Sequence, residues 1–132
     1  MDKGTLYWIT GLSGAGKTTI GNRVYYKMKS RNDNTIILDG DILKKIAGKD
    51  LGYRREERLE RAYRYSALCK LLTDQGINVI ICTIAMFDEV REWNRRNIEN
   101  YVEVFLDVDL EVLKARDKKG LYSKKKGTYS WP

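Results

Sequence analysis

Short apolar, β-branched runs alternate along the chain with longer stretches whose apolar residues recur at helical spacing. Residues 6–10 form a β-prone run that ends at glycines, and 17–30 carry the mixed pattern of a helix. Residues 35–38 make a second strand, closed by Asp39-Gly40-Asp41, after which Ile42, Leu43 and Ile46 predict a short helix. From 54 to 75, Leu59, Ala62, Ser66 and Cys69 fall on one helical face, with Gly76 placed to end the helix. Residues 79–83 are almost wholly apolar, as expected of a strand buried on both faces; a helix over 89–97 and a strand over 102–106 follow. Residues 120–132 read as loop or tail. Strands and helices in alternation predict an α/β fold, one domain over 1–132 whose parallel sheet carries helices on both faces; the G-x-x-x-x-G-K-[ST] loop from Gly11 to Thr18 at the end of the first strand makes it P-loop NTPase-type.

The glycines after the first strand carry the chemistry. Gly11-Leu12-Ser13-Gly14-Ala15-Gly16-Lys17-Thr18 satisfies G-x-x-x-x-G-K-[ST] in full, between a predicted strand and a predicted helix. Glycines let successive amide N–H groups point at phosphate oxygens, and the helix N-terminus adds its positive dipole end. Lys17 then reaches the β- and γ-phosphates, and the Thr18 hydroxyl is placed to hold Mg²⁺. ATP and Mg²⁺ are therefore the expected cofactors, with Gly11, Ser13, Gly14, Ala15, Gly16, Lys17, Thr18 and Thr19 as the cradle. Asp39 and Asp41 stand at the carboxyl end of the second strand, where ligands bind in open α/β sheets. One could hold the metal and one accept a proton; in the plainer alternative both serve the turn and Asp41 caps the next helix.

Composition narrows the chemistry further. The chain has no histidine, so acid–base work falls to carboxylates, Lys, Arg and backbone. A formal charge of +7 favours anionic partners without choosing among them. The longest apolar run, 79–87, is too short to span a bilayer, and no cleavable leader is evident, so a cytoplasmic location is expected. Cys69 and Cys82 read as buried thiols. Arg54, Arg55, Arg58, Arg61 and Arg64 crowd the start of the long helix. Glu57 with Arg61 and Glu60 with Arg64 make i, i+4 pairs, whereas Arg54 and Arg58 are like charges at that spacing. With Tyr53 as a stacking ring, these arginines suit either a solvated face or a second anion site.

Several segments together resemble adenylylsulfate kinase, which phosphorylates the ribose 3′-hydroxyl of adenylylsulfate with ATP. They are Tyr7-Trp8-Ile9-Thr10 running into the glycine loop, Leu38-Asp39-Gly40-Asp41, Asp50-Leu51-Gly52-Tyr53, Glu103-Val104-Phe105-Leu106-Asp107, Ala115-Arg116-Asp117 and Lys119-Gly120-Leu121-Tyr122. The resemblance implies Asp41 as catalytic acid near Mg²⁺ with Lys17 at the phosphates, Tyr53 stacked on the acceptor base and Arg58 on its phosphosulfate. It implies Arg116, Lys119 and Leu121 in a nucleotide-contacting lid near 116–127, and Asp39, Lys44, Arg61 and Ile84 at acceptor positions. Lys44 replaces a family arginine, Arg61 an asparagine, and Ile84-Ala85-Met86 an I-S-P segment. The family also continues past the lid with a strand and helix, whereas this chain stops at Trp131-Pro132, so those are expected to be absent.

Such departures make a changed acceptor credible. The main expectation is an adenylylsulfate kinase-like enzyme of sulfate assimilation. The alternative is cytidine diphosphoramidate kinase, the related activity of bacterial capsule and surface-polysaccharide modification. The expected partner is a small nucleotide, adenylylsulfate or a CDP-linked compound, with neither nucleic acid nor membrane; a homodimer is compatible with this. A regulatory GTPase lacks support because no N-K-x-D signature is present. A non-catalytic nucleotide- or nucleic-acid-binding module is the rival of another class, since bases could stack on Tyr53 among the arginines.

Overall fold

The computed structural model describes residues 2–12, 14–31 and 33–116. Nine elements follow in order: β1 (Thr5–Gly11), α1 (Lys17–Ser30), β2 (Thr35–Asp39), α2 (Gly40–Ala47), α3 (Arg55–Asp74), β3 (Asn78–Thr83), α4 (Asp88–Asn97), β4 (Asn100–Leu106) and α5 (Leu110–Arg116). The strands form one parallel sheet in the order β2-β3-β1-β4. β1 and β3 are its interior strands, which is why Leu6, Trp8, Ile9 and Val79 through Cys82 are buried and why β3 reads as a continuous apolar run.

Alternation along the strands splits the core into two layers. Leu6, Trp8, Val79 and Ile81 face α3 and α4, meeting Ala62, Tyr65, Cys69, Phe87 and Val90. Ile9, Ile80 and Cys82 face α1, where Ile20, Val24 and Met28 cover them. Helices thus lie on both faces, as the alternating pattern predicts. The long helix ends where expected: Gly76 takes a left-handed φ of 86° and donates its N–H to the Thr73 carbonyl. No helix among the described residues is long and apolar enough to cross a membrane.

Two details depart from the sequence pattern. Of the apolar residues that predict α2, only Leu43 is buried; Ile42 and Ile46 are 56% and 74% exposed. The helix therefore covers the sheet edge with a narrow stripe. The second departure is α5, which the sequence reading does not include. Asp109 starts it, accepting the Glu111 N–H at 2.8 Å, and Leu113 is fully buried. Arg116 falls within this helix. The expected lid beyond it, with Lys119 and Leu121, lies outside the described residues, as does Ser13.

Gly40 is where β2 hands over to α2, and close approach explains why it is glycine. A Cβ there would sit 2.9 Å from the Cys82 carbonyl oxygen and 3.3 Å from Thr83 Cα. Both are backbone atoms of β3, so α2 would have to move outward. Gly40→Ala is expected to cost about 1–3 kcal/mol, the usual range for overpacking, read by urea denaturation. An unchanged midpoint would show that α2 does not rest on β3 at this point.

Candidate active site

β1 delivers the glycine loop at the carboxyl edge of the sheet. Gly14 (φ 86°) and Gly16 (φ 99°) take left-handed conformations that other residues adopt only with strain. The Ala15 N–H donates to the Leu12 carbonyl at 3.0 Å and closes the loop. Gly16 is the N-cap of α1 and has no side chain to satisfy the first-turn N–H groups, and that turn contains no acid. A helix start left in this way accepts an anion. The loop is also open at this point, since a Cβ on Gly16 would meet nothing within 4 Å. Behind it stands Leu113 of α5, 3.9 Å from where a Gly14 Cβ would lie. Lys17 holds its ammonium over the loop, donating to the Gly11 and Leu12 carbonyls at 3.0 Å each.

The acidic turn comes from the neighbouring edge. Asp39 accepts the Asp41 N–H through Oδ1 at 2.8 Å and is the N-cap of α2. The capping duty considered for Asp41 therefore belongs to Asp39. Asp41 sits in the first helical turn with its residue exposed. Thr18 and Asn22 of α1 share with Asp39 the wall of a cleft of about 320 Å³, otherwise lined by Ile37, Ile42 and other apolar residues. Cys82 also lines it, but burial above all, together with the charge of Asp39, pushes its thiol up to about 11. Burial likewise takes the Cys69 thiol up to about 12. Both cysteines are free and buried, as expected, and neither is poised as a thiolate.

A second group of side chains assembles on the loop between α2 and α3. Tyr53 is 73% exposed, and the Lys44 ammonium donates to its hydroxyl, which lowers the tyrosine pKa from its ordinary value. Arg55 and Arg58 lie over the buried Phe87 ring, with guanidinium carbons 5.2 and 6.0 Å from its centroid. Ile84 is partly exposed just after β3. The 84–86 segment is tied down by Thr10, which donates to the Ala85 carbonyl at 3.0 Å, and by Thr83, which accepts the Ala85 N–H at 3.2 Å.

Not every arginine of the cluster faces solvent or ligand. Glu60 and Arg64 pair at 3.7 Å as their spacing suggests. Glu57, however, turns to the Gly52 N–H at 2.7 Å and to Arg54 at 3.8 Å. Arg61 is buried and donates to the Leu51 and Gly52 carbonyls. The pull of Arg61 and the push of Asp41 both act on the Tyr65 hydroxyl, whose pKa burial raises to about 12, so acid turn and α3 are electrostatic neighbours. Phe87 and Thr10 are site-supporting residues that the motifs miss. The Asp88-Glu89 start of α4 right after Phe87 is the signal that could have placed the ring at a strand-to-helix junction.

A parallel sheet whose first strand passes through this glycine loop into a helix, with acids at the next strand end, defines a P-loop nucleotide-binding phosphotransferase. The chain belongs to the adenylylsulphate kinase family, whose model matches residues 3–129. It is 44% identical over 119 residues to a cytidine diphosphoramidate kinase of Campylobacter jejuni, covering 90% of this chain and 69% of that one. It is 39% identical over 122 residues to an adenylyl-sulfate kinase of Gloeothece citriformis, covering 92% and 69%. The Mycobacterium tuberculosis APS kinase solved in complex with AMPPNP and APS superposes with a TM-score of 0.87 at 34% identity, covering 95% of this chain and 75% of that one.

The two aspartates are separable by stability. Asp39→Ala is expected to lose about 1 kcal/mol, the typical worth of an N-cap, and more than Asp41→Ala loses. Equal losses would remove the distinction between cap and exposed carboxylate.

Proposed function

We propose that the chain transfers the γ-phosphoryl group of ATP to a hydroxyl of a nucleotide-type acceptor, the ribose 3′-hydroxyl by family resemblance. The observation that carries this reading is that Thr18, in the first turn of the helix that the glycine loop opens, and Asp39 of the acid turn line one cleft. Gly11 through Thr19 would cradle the phosphates, and Lys17 would leave its loop carbonyls for the β- and γ-phosphate oxygens. Thr18 and Asp41 would hold Mg²⁺, which supplies charge neutralisation at the phosphates when bound with the nucleotide. One hydroxyl and one carboxylate suit that ion, which takes most of its remaining ligands from phosphate and water. The exposed Asp41 carboxylate would accept the acceptor's hydroxyl proton as its oxygen bonds to the γ-phosphorus and the bond to the β,γ-bridging oxygen breaks, releasing ADP.

On the acceptor side, Tyr53 would stack on the base, with Lys44, Arg58 and Ile84 around the remainder. A cytidine diphosphate derivative is the acceptor we favour. The relative at 44% identity is named for cytidine diphosphoramidate, and Lys44, Ala85 and Met86 depart from the adenylylsulfate pattern. Adenylylsulfate is the second reading, favoured by the likeness to the complex with AMPPNP and APS.

Lys17→Ala should abolish turnover in a folded protein; near-normal activity would show that the glycine loop is not the phosphate site. Asp41→Asn should slow turnover by roughly two to four orders of magnitude, the worth of a positioned general base. A variant that merely lost stability would deny Asp41 a chemical role. For the acceptor, kcat/KM should be compared at fixed ATP and salt. A preference for adenylylsulfate of tenfold or more, about 1.4 kcal/mol, would overturn the cytidine reading.

A further inference from the structure

Arg61 stands where the family resemblance implies a substrate contact, yet it is only 8% exposed. Its Nη2 donates to the Leu51 and Gly52 carbonyls, at 2.8 Å each. These are the last two carbonyls before Tyr53. The Gly52 N–H donates in turn to Glu57, so α3 holds this glycine by both its N–H and its C=O. Gly48 makes the arrangement possible from the other side: a Cβ there would come within 2.8 Å of Arg61 Nε. One helical turn on, Arg64 donates to both carboxylate oxygens of Asp50, at 2.8 and 2.9 Å, and to the Ala47 carbonyl at 3.2 Å. Three side chains of α3 therefore fix the connection between α2 and α3 along its length.

We infer that Arg61 is a positioning residue for acceptor binding, acting through the 48–53 loop to hold Tyr53 in place, and is not itself a contact to the acceptor. Both N–H bonds of Nη2 are committed to the loop carbonyls and Nε is buried, so swinging the side chain toward a ligand would release the loop. Tyr53 is exposed and would otherwise have to be ordered when the acceptor arrives. Fixing its backbone beforehand removes that entropic cost from binding. The planar guanidinium suits the task, since one nitrogen meets both carbonyls while the group stays charged when buried; the lysine ammonium is a compact point charge on a flexible stem. Its charge also lies toward Tyr53, 6.0 Å from the ring centroid. This inference rests on the proposed role of Tyr53 as the acceptor platform.

The experiment combines kinetics with backbone amide exchange on the full chain, using Arg61→Asn, Arg61→Lys, Tyr53→Ala and the Arg61→Asn/Tyr53→Ala double variant, and both acceptors. Arg61→Asn should raise the acceptor KM by about tenfold, the scale of ordering one loop, with the KM for ATP unmoved. It should also speed exchange at the Leu51 and Gly52 amides. Arg61→Lys should restore part of both effects and guards against an asparagine variant that folds poorly. In the Tyr53→Ala background, Arg61→Asn should add nothing to the acceptor KM. Additive effects would establish a direct contact and overturn the inference, as would unchanged exchange at Leu51 and Gly52 or a loss of stability without any change in KM. An acceptor KM indifferent to Tyr53→Ala would instead remove the platform role of Tyr53, while the exchange data would still show whether Arg61 holds the loop.

Discussion

Parallel pairing sets the level at which each strand ends, and the candidate site is built on those ends. β1 stands opposite β3 with Thr10 beside Thr83, and β2 stands opposite β3 with Asp39 beside Cys82. On its other side β1 pairs Gly11 with Leu106. The glycine loop, the acid turn and the 84–86 segment therefore leave the sheet at one edge. A parallel sheet must bury both faces, and its loops are left to carry function. A register slip of one residue would turn Leu6, Trp8 and Ile9 to the wrong layers, so the core that stabilises the sheet also aligns the site.

Anion recognition without histidine places unusual weight on backbone and on permanent cations. At the glycine loop the donors are main-chain N–H groups whose direction is set by two left-handed glycines. Around the 48–53 loop the cations are divided between two tasks. Arg55 and Arg58 lie over Phe87, whereas Arg61 and Arg64 bind loop carbonyls and Asp50. The positive net charge thus overstates the cations available to a ligand. A buried guanidinium stays charged, and hydrogen bonds to carbonyls make its burial tolerable.

How much of this was legible in the sequence depends on the range of the interaction. The glycine loop, the β3 run and the long helix are local patterns, and their limits in the structure lie within a residue or two of those expected. The Asp39-Gly40-Asp41 turn is equally local, but either aspartate could cap α2; only backbone geometry assigns that hydrogen bond to Asp39. α5 is too short for a clear period, with the fully buried Leu113 to anchor it. Arg61 shows the deeper limit. Its spacing from Glu57 suggests a surface ion pair, but the loop that returns over α3 offers it two carbonyls and gives Glu57 an N–H. No spacing rule contains the path of a loop.

The separation between the two halves of the site bears on how a family can exchange acceptors. The phosphate loop is supported by β1, α1 and Leu113 of α5, whereas the 48–53 loop is supported by side chains of α3. A direct hydrogen-bonded link between β1 and the segment after β3 is that from Thr10, one residue before Gly11, to the Ala85 carbonyl. Substitutions on α3 can therefore reshape the 48–53 loop while leaving the left-handed glycines and Lys17 where they are, because distant sites with no shared partners act nearly independently. Arg61, Lys44 and Ala85 differ from the resemblance pattern on that side alone, while Gly11 through Thr18 match theirs in full. Arg61 and Lys44 thus fall away from that link and Ala85 at its end, whereas the unchanged residues fall where one displaced amide would disturb the whole phosphate cradle.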